Sequence, residues 1–461
     1  MGGSEEGMGG ANVAMGGSGA TEETCPDHPN ITAAEGRCEV SSSLEEPITA
    51  DITLDKDHVW LLTGPMIIGD DVEETILTIE AGTKVFGNQL SFILIQRGSK
   101  IIADGDAENP IVLTSAQAVG QRSPLDWGGL IINGRAPINR PDNNATDPGS
   151  QAGESGTGRY GGSNAADNSG VLNYVRVEFA GRNIDPENEF NGIAFQGVGT
   201  GTEVDFIQVH MVQDDGIEFF GGTVNVKHVL VSGFNDDGID WTEGWVGKGQ
   251  FLVAQELIAS SNLSSDPRGI EADNIAGTAE FNETPFSDPT LSNVTLIGRT
   301  GNTLEGMRLR RGTRADIMNS VVSWVGGPCL QLSETQTFTN VTDETLNLTN
   351  MVFNCTAPVG GTGDALTSGT TLTTDANVLT TPAALTGSTA EADCTADPEA
   401  FGCCVDDVRN FGCWIPGSGS PALAIGDVPS ADTFFTVVNY AGAFANAEGD
   451  WTAGWIETAT R

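Results

Sequence analysis

Two pairs of adjacent aspartates, Asp214-Asp215 and Asp236-Asp237, stand 22 residues apart, and each runs into a Gly-apolar-acid-aromatic element: Gly216-Ile217-Glu218-Phe219 and Gly238-Ile239-Asp240-Trp241. Carboxylates at this density can do two kinds of chemistry. They can hold calcium, a hard cation that accepts many oxygen ligands in flexible geometry. They can also divide the acid and base work of polysaccharide hydrolysis. The element returns as Gly192-Ile193-Ala194-Phe195, Gly269-Ile270-Glu271-Ala272 and Gly306-Met307-Arg308-Leu309, and more loosely as Pro328-Cys329-Leu330-Gln331-Leu332. Aligning the copies predicts an outward column of Ala194, Glu218, Asp240, Glu271, Arg308 and Gln331. The residues just before each glycine form a second column of Asn191, Asp215, Asp237, Arg268 and Glu305.

Roles follow from residue type. Asp214, Asp215, Asp236, Asp237 and Asp273 are the candidate calcium ligands, because stacked carboxylates repel unless a cation or a proton neutralises them. Glu218, Asp240, Glu271, Arg308 and Arg310 are candidate glycan contacts. Trp245 joins them, since Glu243-Gly244-Trp245-Val246-Gly247 reads as a turn that would offer a sugar-stacking ring. As an enzyme the chain would use Asp215, Asp237 and Asp240 as acid and base, or Arg308 as the base of a calcium-assisted lyase. The plain structural alternative is a ladder of turns, because Asp-Asp-Gly is ordinary turn chemistry, with the arginines of Met307–Arg314 neutralising the acids beside them. Other chemistries lack their residues: there are four histidines, and no nucleophile elbow, HExxH or P-loop. His228 falls in register with Phe206 and Tyr174, which predicts an aromatic stack, while His210 alternates outward.

The elements that would position these residues are short strands. Val204-Asp205-Phe206-Ile207-Gln208-Val209 and Val226-Lys227-His228-Val229-Leu230-Val231 alternate apolar and polar and end in Gly, Asn and Asp turns. A period in the low twenties, with two or three strands per repeat, predicts an all-β chain folded as a parallel β-helix, right-handed by the usual crossover chirality. About nine coils at roughly 4.8 Å each would make a rod roughly 40 Å long. The organisation reads as a flexible Gly-rich tether (1–24), an N-terminal Cys loop or cap (25–45), the β-helix (46–360), and a Thr/Gly-rich segment with a Cys-rich C-terminal cap (361–461) closed by Phe434 to Trp455. Residues 140–170, rich in Asn, Asp, Gly and Ser, read as a long loop thrown out from the stack.

With 63 Asp plus Glu against 21 Lys plus Arg, the net charge of −42 excludes nucleic acid and anionic lipid as partners. No run of 18 apolar residues is present, so no transmembrane helix is expected. Eight cysteines in such a chain point to disulfides and an oxidising compartment. Cys25 and Cys38 would close a small loop, and Cys329 and Cys355 lie about one coil apart. Cys394, Cys403, Cys404 and Cys413 crowd together without a CxxC, which disfavours zinc. The Gly- and Met-rich start is read as the remnant of an exported chain, its leader removed just after a lipid-bearing cysteine.

Four stretches together resemble a family of exported right-handed β-helix proteins and lipoproteins of Gram-negative bacteria, within the pectate-lyase-like superfamily. They are Leu77 to Gly87, Gln121 to Gly129, Asp214 to Asn225 and Asp450-Trp451-Thr452-Ala453-Gly454-Trp455. The resemblance implies a β-helix at the outer-membrane surface or secreted, and no established reaction. The expected function is recognition or scaffolding, with the acidic ladder binding calcium and an extracellular glycan or cell-surface component. The alternatives are a polysaccharide lyase or hydrolase, and a self-assembling subunit of a surface layer or filament.

Overall fold

Strands that alternate over a few residues have one face to bury and too little length to bury it alone, so they stabilise only by stacking. The computed structural model describes residues 25–361, 414–416, 420–424 and 432–458, apart from 35, 143, 154–155, 186–187, 258–266, 278–279 and 299–302. Residues 1–24 and Cys394, Cys403, Cys404 and Cys413 therefore lie outside the described residues. Within them the chain is a parallel β-helix, with 23 strands joined in one continuous hydrogen-bonded system.

Each coil visits three faces. One face stacks Ile52–Leu54, Ile76–Ile79, Lys100–Asp104 and then the first halves of Gly170–Glu178, Glu203–His210 and Val226–Ser232. A second stacks Arg37–Val40, Trp60–Leu62, Lys84–Gly87, Ile111–Ser115 and the second halves of those longer strands. The third stacks Met66–Ile68, Ile93–Ile95, Leu130–Asn133, Ile193–Gln196, Ile217–Phe220, Asp237–Thr242, Arg268–Ala272 and Met307–Leu309. Inward residues of all three faces form one apolar core.

The corner between the first two faces is a single residue with positive φ in each later coil: Tyr174, Phe206, His228, Phe251, Asn293, Asn319 and Asn350, all between 45° and 59°. This conformation costs an L-residue about 1–2 kcal/mol. Stacking offsets it. The rings of Tyr174, Phe206, His228 and Phe251 follow one another at 4.3, 4.4 and 5.0 Å, as the register of His228 predicts. Further along, Asn350 Nδ2 donates to Asn319 Oδ1 at 3.1 Å and Gln250 Nε2 to Asn293 Oδ1 at 3.0 Å.

Disulfides join Cys25 to Cys38 and Cys329 to Cys355. The first lies at the Ile31–Ala34/Arg37–Val40 hairpin, which closes the N-terminal end. Two expectations change. The loop expected at residues 140–170 is not thrown out: its Tyr160, with Ile138 just before it, lies over the outward column Ile67, Leu94, Ile131 and Ala194 of the third face, an apolar column that needs a cover. Arg97 secures this loop through Asp147 at 2.7 Å. The closing segment runs along the flank instead of across an end, because the outward faces of Leu230, Val253, Val321 and Val352 are apolar and are buried beneath residues such as Ala441, Ala443 and Phe444. Gln250 and Gln208 clamp it by paired amide hydrogen bonds of 2.7 and 2.8 Å to Thr436 and Glu457. His210, though outward, is fully buried, with Nδ1 at 2.9 Å from Ser232 Oγ.

Replacing Asn319 by Ala should remove buried amide bonds while keeping the strained corner, a loss of roughly 2 kcal/mol. Asn319→Gly should recover part of that loss, and denaturant unfolding of the two variants measures the difference.

Candidate cation-binding face

The acidic motif sits where the second face turns into the third. The glycine that opens each strand there is required by close approach: a Cβ on Gly216 would stand 2.2 Å from Val231 Cγ1 and 2.5 Å from the Gly238 carbonyl oxygen. With the backbone pressed inward, Ile217 and Phe219 enter the core and Glu218 faces out. The register stacks Ala194 on Glu218, Glu218 on Asp240, Asp240 on Glu271, Glu271 on Arg308 and Arg308 on Gln331. The expected outward column is therefore present. The second column is present too, and it is buried: Asn191, Asp215, Asp237, Arg268 and Glu305 are each at most 6 % exposed.

Charge is divided unevenly along this face. At its C-terminal end Arg268 pairs with Glu271 at 3.0 Å, with Glu305 at 2.9 Å and with Asp237 at 3.8 Å. Arg308 reaches Glu305 and Glu271, Arg310 reaches Glu271, and Arg310 and Arg311 hold Asp273 at 2.8 and 2.7 Å. Asp273 is thus engaged by guanidinium groups, which removes it from the candidate metal ligands. Arg308 and Arg310 are partly exposed beside Glu271 and remain in reach of a ligand.

Towards the N-terminal end the carboxylates crowd one another. Oxygens of Asp214, Asp215 and Asp236 lie within 4.8 Å of one another, as do those of Asp215, Glu218 and Asp240, and those of Asp237, Asp240 and Glu271. Asp215 Oδ1 accepts the Asp237 N–H at 2.8 Å and Asp237 Oδ1 the Arg268 N–H at 2.9 Å. Burial, then the charge of Asp214, pushes the Asp215 carboxyl well above the usual range. Burial and the charge of Glu271 do the same to Asp237 and Asp240. Glu271 is pushed up to about 7 by burial, against the pull of Arg310. Burial opposes the charge on Arg310, but Asp273 and Glu271 outweigh it and hold its proton more tightly than usual. Asp240 Oδ1 is buried and has no hydrogen-bond partner. An oxygen-only donor set with an orphaned carboxylate oxygen fits a hard cation.

Trp245 is a correction. It is fully buried, stacked on Phe219 at 3.9 Å, with Nε1 donating to the Val224 carbonyl at 3.1 Å, so it offers no face to a sugar. Two contributors to the face were not assigned roles from sequence. Glu305 stood in the second column without one, although its position there was the available signal. Glu243 binds Tyr160 Oη at 2.7 Å and Arg140 at 3.6 Å, tying the covering loop to the edge of the face, and no local motif marks that contact.

Residues 46–402 match the family model described as a pectate-lyase like beta helix domain. No curated protein and no solved structure gives a match.

The raised carboxyls set the sign of a pH dependence. They keep their protons in the folded chain where the unfolded chain has already released them, so stability falls as pH rises from about 4.5 to about 7, the window of Glu271. Melting in EDTA should therefore drop across that window, and Asp240→Asn should flatten the drop in scanning calorimetry.

Proposed function

The chain belongs to the pectate-lyase-like β-helix family, and on that footing we propose that it is an extracytoplasmic recognition or scaffolding protein whose third face binds calcium and, through it, an acidic extracellular glycan. The observation that carries this reading is the linked set of carboxylate trios sharing Asp215 and Asp240, partly buried on a rigid ladder where mutual repulsion must be relieved. Protons relieve it at low pH; a divalent cation would do so near neutrality. Partly exposed Arg308 and Arg310 lie together two coils beyond Asp240 and suit the anionic groups of a polymer that reaches past the cation. The two disulfides among the described residues accord with an oxidising compartment.

The enzyme readings have less support. Oxygens of Asp215 and Asp240, and of Asp237 and Asp240, approach within 4.8 Å, closer than the roughly 6.5–9.5 Å that leaves room for the water of an inverting glycosidase. Arg308, the candidate lyase base, is engaged by Glu305 and Glu271, which oppose the loss of its proton.

Thermal melts at pH 7.5 with calcium chloride and with EDTA test the reading. Calcium should raise the melting temperature by several degrees, as expected when a ligand binds only the folded state. Asp215→Asn and Asp240→Asn should abolish the rise. Identical melts for the wild type in calcium and in EDTA would reject the calcium-dependent role.

A further inference from the structure

The closing segment ends over the corner where the first two faces meet. Trp455 lies roughly perpendicular to Tyr174 and Phe206, with ring centroids 5.3 and 6.4 Å away, and Trp451 is set the same way against His228 at 5.4 Å. The two indoles thus cover one side of the aromatic column. Two kinds of contact hold this end in place. One is neutral, the amide exchange between Gln208 and the backbone of Glu457. The other is a guanidinium group: Arg176 Nη1 donates to the Trp455 carbonyl at 2.9 Å, and its Nη2 stands 3.7 Å from Glu457 Oε2.

Arg176 serves a second carboxyl as well. Its Nε donates at 2.8 Å to Oε1 of Glu178, which lies two residues along the same strand and is fully buried. The groups around Glu178 come from every element packed on it. Thr114 Oγ1 donates to Glu178 Oε2 at 2.8 Å, and Arg122 Nη1 stands 4.0 Å from the same oxygen. Arg122 is also drawn by the charge of Asp126. His210 is the residue in register on the next coil, with its Nδ1 at Ser232 Oγ. Glu457 faces Glu178 from the closing segment as a like charge. Two carboxyl groups therefore share Arg176, and one of them has no access to water. A buried carboxylate must keep its counter-charge, because leaving it unpaired is costly.

We propose that Glu178 is a pH-sensitive latch for the end of the closing segment, holding it shut when protonated and loosening it when ionised. With Glu178 neutral, Arg176 is left to the Trp455 carbonyl and to Glu457. Once Glu178 ionises, it claims Arg176 and repels Glu457. Burial pushes the Glu178 carboxyl above its usual range against the pull of Arg176, Thr114 and Arg122, and the Glu457 charge adds to the push. The proton is therefore held in the closed state where an exposed carboxyl has already released it, and closure weakens as pH rises through the raised value. Loosening uncovers the side of the column formed by Tyr174, Phe206 and His228. The latch lies on the second face and is independent of the cation proposed for the third.

Hydrogen exchange of the full chain, read by mass spectrometry and corrected for intrinsic rates, tests this. Between about pH 5 and about pH 8, protection of residues 451–458 should fall severalfold more than that of residues 432–444 in the same segment. Glu178→Gln, which keeps the neutral form, should hold the end closed at both pH values. Glu457→Gln leaves the buried carboxyl in place but removes the repulsion from the closing segment, and it should reduce the fall. A wild-type end that changes no more with pH than residues 432–444, or that becomes more protected as pH rises, would overturn the inference. So would a fall of the same size in Glu457→Gln, which decides the matter even where Glu178→Gln does not fold.

Discussion

The constraint on which this structure depends is vertical register. In a parallel β-helix each residue sits on its equivalent in the next coil at roughly 4.8 Å, so any side chain chosen once must tolerate a copy of itself or of its substitute. Apolar residues tolerate this without limit, and they build the core. Aromatic rings turn it into stacking, as along Tyr174, Phe206, His228 and Phe251. Asparagines turn it into amide ladders, as at Asn319 and Asn350. Carboxylates alone gain nothing from it. A column of acids is therefore the one part of the rod that needs an outside agent, either a guanidinium group or a cation.

This chain supplies guanidinium groups at one end of the face, and the proposed cation would serve the other. From Glu271 onward the arginines come from the ladder itself and from the strand above it, and the face is nearly neutral. Towards the other end the carboxyls of Asp215 and Asp240 are displaced upward by burial and by neighbouring carboxylates. The boundary falls between adjacent coils. It gives the face a direction, with a cation-seeking end and a guanidinium end, and the covering loop with Ile138 and Tyr160 closes it off on the acidic side.

How much of this could be read in the sequence depended on whether the repeat was interrupted. The coils from Val204 to Trp241 repeat without insertion, so the columns that stack Glu218 on Asp240 follow from alignment alone, as does the place of His228 on Phe206. Trp245 misled because its glycines look like a solvent turn. Gly247 is instead the residue that lets the indole in, since a Cβ there would stand 1.9 Å from the Val224 carbonyl and 2.3 Å from Trp245 Nε1. The loop near residue 150 was misread for a related reason. Its Asn, Asp and Gly content is that of a solvated segment, but its attachment depends on a few long-range contacts, Arg97 to Asp147 and Tyr160 to Glu243, that no local pattern encodes. The flank strap was hidden in the same way, because the outward apolar residues it covers are scattered over many coils.

The central claim is that the acidic end of the third face is completed by a cation. The most direct measurement is a crystal structure from calcium-grown crystals, with anomalous data to identify the ion. The account predicts an anomalous peak among the carboxylates that Asp215 and Asp240 share with their neighbours, with oxygen ligands at about 2.3–2.6 Å. Carboxyl groups hydrogen-bonded to one another across that space, with no ion between them, would contradict it.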